Sequence, residues 1–363
     1  MATRQETLWL KPPSCLSRTP TLQDRNISAS DEQVLRAKGI SFLQRIAISQ
    51  KIPVTTCSTA STYFHRFYTL RSLDPAANSG TVHSGAGSGQ ATGMDSGSDA
   101  KMGIHHYPLA AAALFLACKT DGTCAKRTKD FVAAVVRIAL KSEHMHVDAQ
   151  SAAYWQWYDV LLAAEDLLLD TLGFELECSS PYFYLTRLLD RLGVRHGADR
   201  LRNRAWAFLN DSQSTMLCLI FPARTIAAGA CWFAAGKCGV RFADVAVREA
   251  WWVREKVRYW ELVKVVNFVA EAFKVLQQRG VVVDDGGCPY AVVGAEMKLE
   301  ENDPTRTRKV GGEGEKEGAA VVAAATPNGH ADTPGSMANG VEQLGSSPSQ
   351  VGSGSAGPAS IPS

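Results

Sequence analysis

No run of apolar residues in this chain approaches the roughly 18 that a membrane-spanning helix needs. The first residues, MATRQETLWLKPPSC, hold no apolar signal core. Cysteine occurs nine times but never as Cys-x-x-Cys, and an odd count does not fit a fully paired disulfide framework. Most of the cysteines sit in apolar helical runs and read as reduced core residues of an intracellular protein. No ligand pair has zinc-knuckle spacing, and His105 and His106 are adjacent rather than four apart, so no metal is expected and surface or capping roles suit them. A surplus of one charge is also missing. Lys and Arg number 38 against 36 Asp and Glu, a net +2 that gives no global signature of a nucleic-acid binder. There is no P-loop, no Gly-rich kinase loop and no His-Arg-Asp or Asp-Phe-Gly motif, so neither a catalytic set nor a cofactor is expected. Period-two alternation of β-branched residues is scarce, which argues against strands.

What is present is helical sequence, interrupted twice. Residues 74–103, DPAANSGTVHSGAGSGQATGMDSGSDAKMG, are rich in Gly, Ser, Ala and Asp and hold no Phe, Tyr or Trp. Such a stretch cannot bury enough surface to offset its ordering entropy, so a flexible insertion is expected. From about Gly286 to Ser363 the composition is again low in complexity and reads as a disordered tail, with proline-directed dipeptides at Thr326-Pro327, Thr333-Pro334 and Ser347-Pro348.

The first expected helix opens near Ser30, a candidate N-cap, with Asp31 and Glu32 at its positive end. A second follows Pro53, with Thr55 or Thr56 able to cap it. A third enters through Pro108, KRTKDFVAAVVRIAL is a fourth, and a fifth runs from about Asp148 to Leu172, ended by Gly173. A new set begins at Pro181, with helices near 200–216, 223–236, 242–253 and 256–277.

The third helix, HHYPLAAAALFLACKTDG, raises a packing question. Its alanines let neighbouring helices approach to about 8 Å, and nearly every face is apolar, so it should be buried at the centre of a bundle. AAAALFLACK (110–119) aligns without a gap on AGACWFAAGK (228–237), sharing three alanines (Ala110, Ala112 and Ala117 on Ala228, Ala230 and Ala235), a phenylalanine and the final lysine. That echo suggests the bundle is built twice, with chance similarity of two Ala-rich helices the alternative. Lys119 ends the apolar face. Read locally, it either favours the helix dipole or donates to a partner.

LRAKGISFLQRIA, TASTYFHRFYTL, AAALFLACKTD and AEDLLLDTLGFELECSSPY resemble, in order, the helices of a cyclin box, and RTIAAGACWFAAGK resembles the third helix of a second box. The resemblance covers about Gln33 to Leu276. His65 before Arg66, where cell-cycle cyclins usually have aspartate paired with the arginine at position 36, is similar to transcription cyclins of the T, K and L types. The fifth helix is similar to fungal cyclins of the positive transcription elongation factor type. The resemblance implies an all-α fold of two tandem five-helix cyclin boxes with a disordered C-terminal tail. It divides the chain into an N-terminal extension (1–29), a first box (30–178, with the 74–103 insertion), a second box (179–279) and a tail (280–363).

The same resemblance implies a regulatory subunit that is not itself an enzyme. It would bind and activate a cyclin-dependent kinase acting on the RNA polymerase II C-terminal domain, in the nucleus. The expected partner is that kinase's catalytic subunit, with the polymerase C-terminal domain a further candidate; no direct nucleic acid and no membrane are expected. Kinase contact is expected at Lys119, Thr120, Asp121, Glu165, Leu169 and Phe174. The lysine would reach carbonyls at the end of the kinase's regulatory helix, and the glutamate would accept from amides there. The sequence departs from the family where Lys119-Thr120-Asp121-Gly122 replaces Lys-x-Glu-Glu, and residues 123–125 are inserted. The alternatives are a general transcription factor of the TFIIB type, a CTD-kinase beta subunit, a Mediator cyclin C and a splicing-linked cyclin L.

Overall fold

The computed structural model describes residues 4–25, 27–73, 104–122, 126–142, 144–194, 199–242, 250–281, 290 and 321–322. The insertion at 74–103, residues 123–125 and almost all of the expected tail lie outside them. Three one-turn helices come first: α1 (Arg4–Trp9), α2 (Pro13–Leu16) and α3 (Pro20–Arg25). Five helices follow: α4 (Ala29–Ser49), α5 (Val54–Phe67), α6 (His106–Thr120), α7 (Thr128–Ala139) and α8 (Ala152–Leu172). The second set is α9 (Pro181–Arg191), α10 (Asp199–Ser212), α11 (Ala223–Cys238), α12 (Trp251–Arg254) and α13 (Tyr259–Gln278), with a 3₁₀ turn at Met216–Leu219. The fold is all-α. Two residue pairs depart from the expected absence of strands: β1 (Arg241–Phe242) pairs in parallel with β2 (Val321–Val322).

Helix α6 is the axis of the first core. Every residue from Pro108 to Cys118 is buried, and α4, α5 and α8 pack around it. Alanine at 110–113 is what allows three helices to close on one. Helix α11 holds the same place in the second core, surrounded by α9, α10 and α13. One glycine in each core marks a close approach. A Cβ on Gly39 would lie 2.5 Å from Phe64 Cζ, and one on Gly229 would lie 2.5 Å from Val265 Cγ1.

Several helix ends differ from expectation. The α4 N-cap is Ser28, whose hydroxyl accepts from the Asp31 amide at 3.1 Å, and not Ser30. Helix α5 starts after Pro53 with no side-chain cap, because Thr56 turns inward to bond elsewhere. His105 caps α6, accepting from the Tyr107 amide, but His106 is buried rather than on the surface. Of the helix expected over 242–253, the described part is α12. The packed region also outruns the expected boundary at 279. Tyr290 is buried among Phe208, Phe233 and Phe273, and its hydroxyl donates to Asp211.

The two cores meet along α4 and α5. Leu276 of α13 packs on Val34 and Ala37, and Arg279 pairs with Asp31 at 3.1 Å. His65 Nε2–H donates to the Gln213 carbonyl at 3.0 Å. His65 Nδ1 then faces Arg36 Nη1 at 3.5 Å as an acceptor. Arg36 is neutralised within its own helix, by Glu32 at 2.6 Å, and its guanidinium also donates to the carbonyls of His65 and Tyr68. Histidine can therefore stand where an aspartate would otherwise meet this arginine: the counter-charge comes from Glu32, one turn earlier.

Candidate functional site

Helix α6 carries Lys119 out of the core at its last turn, where a cation complements the helix dipole. Helix α8 crosses beside it and presents Glu165. The two meet: Lys119 Nζ lies 2.8 Å from Glu165 Oε2. They are unequal partners. The lysine side chain is 50% exposed and also lies 4.3 Å from the Phe115 ring centroid, one turn back, whereas Glu165 is 8% exposed. The other glutamate oxygen, Oε1, is buried and accepts no hydrogen bond. Buried carboxylate oxygens normally find a donor, and this one has none beside a half-exposed ammonium.

The end of α8 adds an apolar element. Gly173 closes the helix in the left-handed region at φ 57°, and Phe174 follows at φ 60°. A non-glycine residue there costs on the order of 1 kcal/mol. The phenylalanine is nonetheless 72% exposed, while the Phe174 amide donates to the Leu169 carbonyl at 3.2 Å. Leu169 is half-buried against the first core. A strained backbone thus holds a large aromatic ring out among the exposed residues.

Thr120 and Asp121 behave differently. The Thr120 hydroxyl donates to the Ala117 carbonyl at 3.1 Å and lies 3.4 Å from Tyr63 Oη. Asp121 is the α6 C-cap, and its carboxylate accepts from Thr56 Oγ1 at 2.5 Å. Their polar groups are engaged in fixing the turn. Tyr63 also donates to the Leu176 carbonyl at 2.7 Å, tying α5 to the chain beyond α8, and burial pushes its phenol up to about 12. The sequence offers Thr56 only as a helix cap and gives no role to Tyr63. Thr56 lies 65 residues from the aspartate it holds, and no local pattern signals that distance.

The second Ala-rich helix ends differently. Lys237 stands over Phe233 at 5.9 Å, as Lys119 stands over Phe115. Among the described residues no carboxylate lies within ion-pair distance of it. Among the described residues the ion pair at the end of an Ala-rich helix occurs in the first core and not in the second. On helix α8 Trp157 is buried, and Trp155 is 50% exposed with its indole donating to the Ala149 carbonyl. Among the described residues no cluster of His, Cys, Asp and Glu could hold a metal, and no helix is long and apolar enough to cross a membrane.

No protein-family model matches the chain. Among curated proteins, it is 28% identical over 267 residues to Cyclin pch1 of Schizosaccharomyces pombe, covering 73% of this chain and 69% of that protein. It is 28% identical over 250 residues to Cyclin-T1-3 of Oryza sativa subsp. japonica, covering 68% of this chain and 44% of that protein. With Cyclin-K of Danio rerio it is 26% identical over 249 residues, 67% of this chain and 50% of that one. The chain thus spans half or less of the length of these T- and K-type relatives. Among solved structures it is similar to a chain in the crystal structure of the yeast RNA Pol II CTD kinase CTDK-1 complex. There the TM-score is 0.53 at 16% identity, over 74% of this chain and 76% of that one, a likeness of fold.

Proposed function

We propose that this chain, whose curated relatives are cyclins of the pch1, T, K and L types, is the regulatory subunit of a transcription-associated cyclin-dependent kinase. The observation that carries the reading is Glu165 Oε1, buried and without a donor beside the Lys119 ammonium. An ammonium and an open carboxylate oxygen a few ångströms apart match the end of a helix lying across them. The lysine would donate to backbone carbonyls, and the glutamate would accept from backbone amides, each contact charge-assisted. Phe174 and Leu169 supply the apolar anchor beside them, the kind of exposed aromatic that becomes a hot spot once covered.

The mechanism is selection of a conformation. Activity of a protein kinase requires its β3 lysine and αC glutamate to pair and its activation loop to be ordered. A rigid surface that binds αC only in that position shifts the kinase towards the active state by its differential affinity. Rigidity is what the first core provides: α6, which carries Lys119, is buried along its length and packed by three helices. The kinase would act on the RNA polymerase II C-terminal domain, in the nucleus, a substrate and location that rest on the relatives. Thr120 and Asp121 would act indirectly, by setting the turn that holds Lys119.

The experiment is capture of the tagged chain from nuclear extract, with identification of the co-purifying kinase and assay of its activity on polymerase C-terminal repeats. The double substitution Lys119→Glu with Glu165→Lys should lose both kinase and activity while keeping its helical content. Retention of both would overturn the reading.

A further inference from the structure

The N-terminal extension is docked on the rest of the molecule. Its three helices have six, four and six residues, well below the length at which a helix stands alone in water. What holds them is a short series of specific contacts. The Lys11 amide donates to the Leu219 carbonyl at 2.7 Å, at the turn after α10. The Trp9 ring lies 4.9 Å from the Arg66 guanidinium of α5. The Leu73 amide donates to the buried Thr21 hydroxyl at 3.0 Å. Thr19 is buried as well. Its hydroxyl is buried and donates to Glu32 Oε2 at 2.5 Å, while Glu32 Oε1 holds Arg36. The extension therefore reads the state of the buried Glu32–Arg36 pair through one O–H donor, and touches both cores.

Thr19 is followed by Pro20, in SRTPTLQ. Ser or Thr before proline is the minimal recognition element of proline-directed kinases. Here it coincides with a hydroxyl whose proton the fold uses. We propose that Thr19 is a phosphorylation site of a proline-directed serine/threonine kinase, and that a phosphate there undocks residues 4–25 from both cores. In the reaction the bond between the γ-phosphorus of ATP and its bridging oxygen breaks, and a bond from phosphorus to Thr19 Oγ1 forms. ADP leaves, and the hydroxyl proton passes to the modifying kinase's base. The product replaces a donor with a group of about two negative charges, set against the Glu32 carboxylate. Two anions cannot share that buried position, and Glu32 cannot release Arg36 without leaving a guanidinium uncompensated. The segment must leave. Because the docked segment is short and lies outside both cores, it opens locally without global unfolding, and the open form is the one the kinase meets. Phosphorylation then traps it. Release uncovers the Glu32–Arg36 pair and removes Trp9 from Arg66, at the seam where the two cores meet.

The test uses the full chain with a recombinant proline-directed kinase and ATP, followed by site mapping and hydrogen exchange. Phosphate on Thr19 should raise exchange across 4–25 by roughly tenfold or more, the equilibrium change of one lost charge-assisted hydrogen bond. A phosphatase should reverse it. Thr19→Val, which keeps the shape and removes the site, should stay insensitive to the kinase whatever is added to other Ser-Pro and Thr-Pro positions. Thr19→Glu should match the phosphorylated protein. Two results overturn the proposal: phosphate on Thr19 with unchanged protection of 4–25, or no phosphate on Thr19 in the folded chain when a peptide spanning 12–25 is modified by the same enzyme.

Discussion

Lys119 Nζ meets Glu165 Oε2 at 2.8 Å, while Glu165 Oε1 stays buried and unbonded. A pair arranged for stability alone would satisfy both oxygens. Replacing Glu165 with methionine, of similar length, removes an unsatisfied buried acceptor and leaves a half-exposed lysine that water can solvate. The free chain should then be as stable as wild type or more stable by up to about 1 kcal/mol in urea unfolding. A loss of about 3 kcal/mol would assign Glu165 to folding instead.

Phe174 makes a parallel case in the backbone. Phe174→Gly relieves the left-handed strain at φ 60° and removes a ring that is largely in solvent. Stability should rise by roughly 1 kcal/mol. Affinity for the kinase subunit should fall about tenfold or more, as for an aromatic anchor. Denaturant unfolding and titration calorimetry on the same variant separate the two effects.

The close helix approaches give a third prediction. Gly39→Ala and Gly229→Ala each press a methyl group to 2.5 Å from a packed side chain, Phe64 in one core and Val265 in the other. Each should destabilise by about 1–3 kcal/mol, the range for overpacking. Thermal unfolding of the two variants checks it, and a neutral result in either would mean that core yields.

Acid stability follows from two histidines. Burial, first, and Arg36, second, hold His65 down at about 3; burial, then His105 and Lys38, do the same for His106. Both folded values lie below the unfolded value of about 6.5. Below that pH the unfolded chain takes up protons the native state refuses, so their contribution is full above about pH 6.5 and is lost as pH falls towards 3. The slope is about 1.4 kcal/mol per pH unit for each histidine. His106→Phe should reduce the loss of stability between pH 7 and pH 5 by about 2 kcal/mol, read from urea unfolding at the two values.

The all-α class and the central Ala-rich helices were legible in the sequence because each leaves a mark with a short period, and Lys119 and Glu165, named together from a motif, do lie side by side at 2.8 Å. Pro108 to Cys118 is apolar on every face, and such a helix has nowhere to go but inside. What could not be read were side-chain contacts between different elements. Thr56 with Asp121, Thr19 with Glu32, and Tyr290 with Asp211 join residues that share no helix face. The cap of α4 was misplaced by two residues because Ser28 and Ser30 are both plausible, and only the Asp31 amide decides between them. The inward turn of Thr120 and Asp121 was hidden for the same reason. Side-chain type at a helix end does not say which way the turn beyond it will close.

The most direct measurement is the dissociation constant between the full chain and the isolated kinase subunit that it captures, for wild type, Lys119→Glu, Glu165→Lys and the double variant. Each single substitution should weaken binding about a hundredfold or more, because each places a like charge against a helix end it should complement. The unfolding midpoint should fall in each single variant, where like charges face each other at 119 and 165, and circular dichroism checks that the helical fold is kept. Affinities within twofold of wild type for folded variants would contradict the assignment of this face to the kinase.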